Sequence, residues 1–87
     1  MNGRYAISKA GRDAGKIYII VGSENGTLLL ADGVERKLAN PKKKNSKHVE
    51  IPEQMEPKEL AGMIAARQRG CDEAIRQILH HMMKNFF

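Results

Sequence analysis

Nine basic side chains fall in two short stretches of this 87-residue chain. Lys9, Arg12 and Lys16 surround Gly11 and Gly15, and Arg36, Lys37, Lys42, Lys43, Lys44 and Lys47 lie in a segment without one acidic residue. Asn40, Asn45 and His48 are interleaved with the second group. Ammonium and guanidinium groups at this density neutralise phosphates and release condensed counterions. Amide and imidazole groups between them supply hydrogen bonds for phosphate and ribose hydroxyls. Glycines in the first stretch let backbone come close to a ligand. Each stretch also has a plain alternative. Two glycines suffice for a tight turn, and a lysine run suffices to keep a loop soluble.

Catalytic and metal chemistry are not foreseen. Cys71 stands alone, so it forms no intramolecular disulfide or cysteine cluster, and no neighbour in sequence offers it a base. Adjacent His80 and His81 point about 100° apart on a helix and cannot share one ion. Paired carboxylates, a Ser-His-Asp set and a phosphate-binding Gly-Lys-Ser/Thr loop are all missing from the sequence. The expectation is a non-enzyme with no catalytic residue, no cofactor and no metal.

The elements that must hold these cations are legible from composition and period. Eighty-seven residues make one small unit, with 41% hydrophobic residues, only 5% aromatic and no tryptophan. The net charge is +5 overall, but residues 1–48 carry +6 and residues 49–87 carry −1. Tyr5–Ser8, Lys16–Val21 and Thr27–Ala31 are β-forming pieces between glycines. Asn25-Gly26 and Asp32-Gly33 sit at positions for tight hairpin turns. Ile17, Ile19 and Val21 share one face of their strand and Tyr18 and Ile20 the other, which predicts a central strand covered on both sides. Asn40-Pro41 interrupts pairing, and Lys47–Ile51 alternates like a last short strand. With so few aromatics, recognition of a nucleic acid is expected to lean on shape and phosphate rather than on splayed bases.

After Pro57 the period becomes helical. Two short helices are predicted over about 57–69 and 71–85, the second with Asp72 and Glu73 at its positive end. Ile75, Ile78, Leu79, Met82, Met83 and Phe86 form a continuous apolar stripe. No apolar run reaches transmembrane length, and the first residues have neither a signal-peptide core nor a myristoylation glycine. A soluble cytoplasmic protein without a membrane partner is expected.

The stretch Ala6–Ile20, with Gly11 and Gly15-Lys16, resembles a KOW motif: strand, glycine loop, second strand. The continuation through Leu29–Gly33, Arg36–Asn45 and Lys47-His48 is similar to small bacterial KOW-domain RNA-binding proteins. Those are related to KOW-containing large-subunit ribosomal proteins of archaea and eukaryotes. The resemblance covers roughly residues 3–50 and implies a mainly β domain over 1–52, an SH3-like small β-barrel; the helical period places a helical extension over 53–87 packed on or beside it. The resemblance also implies RNA as partner, ribosomal RNA and translation among the settings. The residues expected to contact RNA are Lys9, Gly11, Arg12, Lys16, Arg36, Lys37, Asn40, Lys42, Lys43, Lys44, Asn45, Lys47 and His48. An alternative stays open: a protein-interaction module, or a homodimer, using the Met/Phe face of the C-terminal helix.

Overall fold

The computed structural model describes residues 2–52, 60–66 and 70–86. Among them five strands come first: β1 (Tyr5–Ser8), β2 (Ile17–Glu24), β3 (Thr27–Ala31), β4 (Lys42–Asn45) and β5 (Val49–Glu50). A 3-10 turn at Ser46–His48 joins the last two, and α1 (Leu60–Ala66) and α2 (Cys71–Phe86) come after them. The strands form one antiparallel sheet in the order β4-β3-β2-β1-β5. Residues 57–59 and 67–69 of the expected first helix lie outside the described residues.

β2 is central and apolar on both faces, as its alternation predicts. Ile17 and Ile19 join Ala31 in one buried cluster with Ile64 of α1 and Cys71, Ile75, Leu79 and Met82 of α2. Tyr18 and Ile20 join Ala6, Leu28, Leu30 and Val49 in a second cluster on the opposite face, to which no helical residue belongs among the described residues. A bulge between Ile20 and Gly22 shifts the β2–β3 register by one residue. The hairpin beyond it closes at Asn25-Gly26, both with positive φ (48° and 81°), the backbone that a two-residue turn with matching twist requires.

Two local expectations are corrected. Asp32-Gly33 does not close a hairpin; it opens the long connection from Ala31 to Lys42. The Asp32 carboxylate accepts from the backbone N–H groups of Val34 and Arg36, both at 2.9 Å, and so folds residues 32–36 onto themselves. Of the expected Lys47–Ile51 strand, only Val49–Glu50 pairs with β1, because Lys47 and His48 belong to the 3-10 turn at Ser46–His48.

The 32–38 connection is also where sheet and helix lock together. Leu38 N–H donates to the Asp72 carboxylate in the first turn of α2 at 2.6 Å. Gly33, at φ +79°, lies so close to that helix that a Cβ would meet the Asp72 carbonyl oxygen at 2.2 Å. Gly26 has a similar φ (+81°) and open space around it. Gly33→Ala should therefore lower stability by at least ~2 kcal/mol, a drop of roughly 10 °C in thermal midpoint, from strained backbone plus helix displacement. Gly26→Ala should cost only the backbone part, about 1 kcal/mol. Thermal unfolding of the two variants separates helix docking from turn strain. Equal losses would mean that Gly33 does not seat the helix.

Candidate nucleic-acid interface

The register of β4 decides which of its lysines can meet a ligand. Lys42 pairs with Leu30, Lys43 with Leu29 and Lys44 with Leu28. Residues directly opposite in an antiparallel pair project to the same side. Lys42 and Lys44 thus share the face of buried Leu30 and Leu28, while Lys43 projects from the other. Two ammonium groups at the rim of an apolar cluster need a counter-charge.

Asp13, at the turn of the glycine loop, supplies it. Its Oδ1 accepts from Lys44 Nζ and from the Ser8 hydroxyl, both at 2.8 Å; its Oδ2 accepts from the Tyr18 hydroxyl at 2.7 Å and pairs with Lys42 Nζ at 2.9 Å. Lys44 Nζ also donates to the Ala10 carbonyl at 2.8 Å. The side chains of Asp13, Lys44 and Lys42 are 11%, 12% and 30% exposed. Burial pushes the Asp13 carboxyl up, but the bonds from Lys44, Tyr18, Lys42 and Ser8 outweigh it and hold the carboxyl far below the usual range. Burial, then the bond to Asp13, pushes the Tyr18 hydroxyl well up. The loop is closed further by Gly15 N–H to Ser8 O and Lys16 N–H to Asp13 O, both 2.8 Å, with Gly11 and Gly15 at φ +85° and +92°.

The remaining expected residues divide into groups. Lys16 is paired with buried Asp32 at 2.8 Å and sits 5.2 Å from the Tyr18 ring centre. Burial raises the Asp32 carboxyl, and the Lys16 bond with the Arg36 and Val34 N–H groups brings it below normal. Lys9 N–H donates to the His48 carbonyl at 2.8 Å, which places exposed Lys9 beside exposed Lys47 and His48. Arg12 is exposed at the tip of the clasped loop, one residue from Gly11. Asn45 is spent as a cap, its side chain accepting from Lys47 N–H at 2.9 Å. Half-buried Arg36 and exposed Lys37 and Asn40 belong to the connection that docks on α2.

Within the basic run, Lys42–Asn45 is therefore a strand with a defined inside and outside. Three of the nine cations, Lys16, Lys42 and Lys44, are engaged in internal ion pairs. Among the described residues, Lys9, Arg12, Lys37, Lys43 and Lys47 are exposed and carry no ion pair. Sequence reasoning missed Asp13. The available signals were that it is the only acid before Glu24 and that Lys42 and Lys44 alternate onto one face. No helix of the described residues is long and apolar enough to cross a membrane, and none of their His, Cys, Asp and Glu side chains group as a metal site. No protein-family model matches the chain, and a search of the curated proteins also finds no match.

Asp13→Asn should destabilise the domain by about 2–4 kcal/mol, because it leaves two inward ammonium groups short of a counter-charge. Lys43→Ala should stay within about 0.5 kcal/mol of the parent. Since folding depresses the Asp13 carboxyl, its stabilisation is complete above the ordinary carboxylate range and is lost as pH falls below about 4. Denaturant unfolding at neutral and acid pH should show that loss in the parent and much less of it in Asp13→Asn. A variant with the parent's acid sensitivity would remove Asp13 from this role.

Proposed function

We propose that the chain is a non-enzymatic RNA-binding module of the KOW type, acting in the cytoplasm. In this reading the curved sheet is an SH3-like barrel. Closure would bring its chain-consecutive edges, β4 and β5, round the Tyr18–Leu30 cluster, to which Val49 of β5 already belongs. The observation that carries the proposal is the clasped glycine loop. Asp13 fixes its shape from inside, and its own charge is neutralised there by Lys42 and Lys44. The loop thus presents Arg12, with Lys9 and Lys47 beside it, while the loop's own acid is already engaged. A preformed loop binds without an ordering cost, and phosphate contacts hold structured RNA with little dependence on sequence.

The other reading, a protein-docking face on α2, has less left to use. Met82, central to that stripe, is buried with Ile75 and Leu79 against Ile17, Ile19 and Ala31. The side chains of Met63, Met83 and Phe86, and all of Phe87, lie outside the described residues.

Binding of a structured RNA, followed across a salt series, tests the proposal. With Lys9, Arg12 and Lys47 as phosphate contacts, log K should fall with log salt at a slope of about −2 to −3. Changing Lys9, Arg12 and Lys47 together to Ala should make that slope shallower by roughly two units, and thermal stability should stay near the parent's. Lys42 and Lys44 are unsuitable for this purpose, since replacing them perturbs the fold. Unchanged affinity and slope in the triple variant would refute phosphate-led binding through this loop.

A further inference from the structure

A cleft of about 650 Å³ opens beside the glycine loop, between the start of β2, the 32–36 turn and α2. Buried Ile17 and Leu79 form its apolar lining, and Val34 stands at its rim, 58% exposed. Val34 is the exposed large hydrophobic residue among the described residues. The turn that carries it is rigid, because Asp32 bonds both Val34 N–H and Arg36 N–H.

The facing wall carries Arg76. Its Nε donates to Glu73 Oε2 at 3.0 Å and its Nη2 to Glu73 Oε1, a two-point pair one helical turn apart. Such an exposed pair contributes little stability. Its effect is geometric: the fork engages one edge of the guanidinium of this exposed residue. A planar cation with open faces stacks on heteroaromatic rings. The third element is Lys16, whose ammonium is held in the cleft by Asp32 at 2.8 Å. Gly15 and Lys16 belong to both cleft and loop, so the two adjoin.

We propose that this cleft is a slot for one unstacked nucleobase, held between the Arg76 guanidinium and the Val34 side chain over the Ile17–Leu79 floor. The inference rests on the RNA-binding reading and adds one base to its phosphate contacts. It also accounts for a base grip in a domain poor in aromatics, since arginine and aliphatic surface do the stacking. Both Asp32 oxygens are already engaged, so any bond to the ring edge falls to the Lys16 ammonium or to His80, which also lines the cleft.

The test is an NMR titration of the full chain with adenosine 5′-monophosphate, set against inorganic phosphate, observing Val34 methyl and Arg76 Nε–H signals. The nucleotide should move both signals, and phosphate alone should move neither. Arg76→Lys keeps the charge and loses the plane. It should weaken nucleotide binding about threefold to fivefold while leaving the salt slope of RNA binding unchanged. Val34→Ser should weaken it as well, and thermal unfolding should show both variants folded. Nucleotide shifts confined to Lys9, Arg12 and Lys47 would overturn the slot while the phosphate reading stands. Shifts at Val34 and Arg76 from a protein whose RNA affinity ignores salt would support the slot and overturn the phosphate reading.

Discussion

A single carboxylate organises the polar half of this domain. Asp13 is reached by β1 through Ser8, by β2 through Tyr18 and by β4 through Lys42 and Lys44. Each partner would be costly where it stands without the others: a buried phenol, a buried serine and two inward ammonium groups need hydrogen bonds or a counter-charge. Together they satisfy one another at the rim of the Tyr18–Leu30 cluster. The loop geometry, the orientation of β4 and the exposure of Arg12 all result from that arrangement. It is a condition of the fold before it is a feature of any binding surface.

The other face of the sheet obeys a different constraint. There the apolar residues of β2 and β3 are covered by α2, whose Ile75, Leu79 and Met82 recur at helical spacing. Burial supplies the driving force, and the position of the helix is set by backbone proximity at Gly33 and by the Leu38–Asp72 bond. Asp72, expected to complement the helix dipole, also reaches across to the sheet side of the molecule. Glu73 stays on the helix, bonded to Arg76 and Gln77.

Local pattern announced much of this. The alternation in Ile17–Val21 gave a doubly covered strand, Asn25-Gly26 gave its hairpin, and the helical stripe gave the buried face of α2, because each signal is contained within a few consecutive residues. Three lysines in a row carry no hydrophobic contrast, so no period marked Lys42–Asn45 as a strand. Its pairing is set by Thr27–Leu30, and its inside by an aspartate 31 residues away from Lys44. Asp32-Gly33 has the composition of a hairpin turn. Whether such a dipeptide closes a hairpin depends on the partners its carboxylate finds, and here Asp32 bonds forward to Val34 and Arg36 instead. The basic residues were visible as a group, but the division between inward and outward members was not, since charge alone does not say which way a side chain points.

The long separation between Asp13 and its lysine partners also orders events in time. A contact spanning 31 residues closes only after the intervening chain has been gathered, and the entropy of that closure is met before the contact returns anything. β1 and the glycine loop come early in the chain, yet the loop acquires its shape only when β4 arrives beside β3. Until then Asp13 lacks the two lysines that hold it, and the shape of the loop arrives with completion of the sheet.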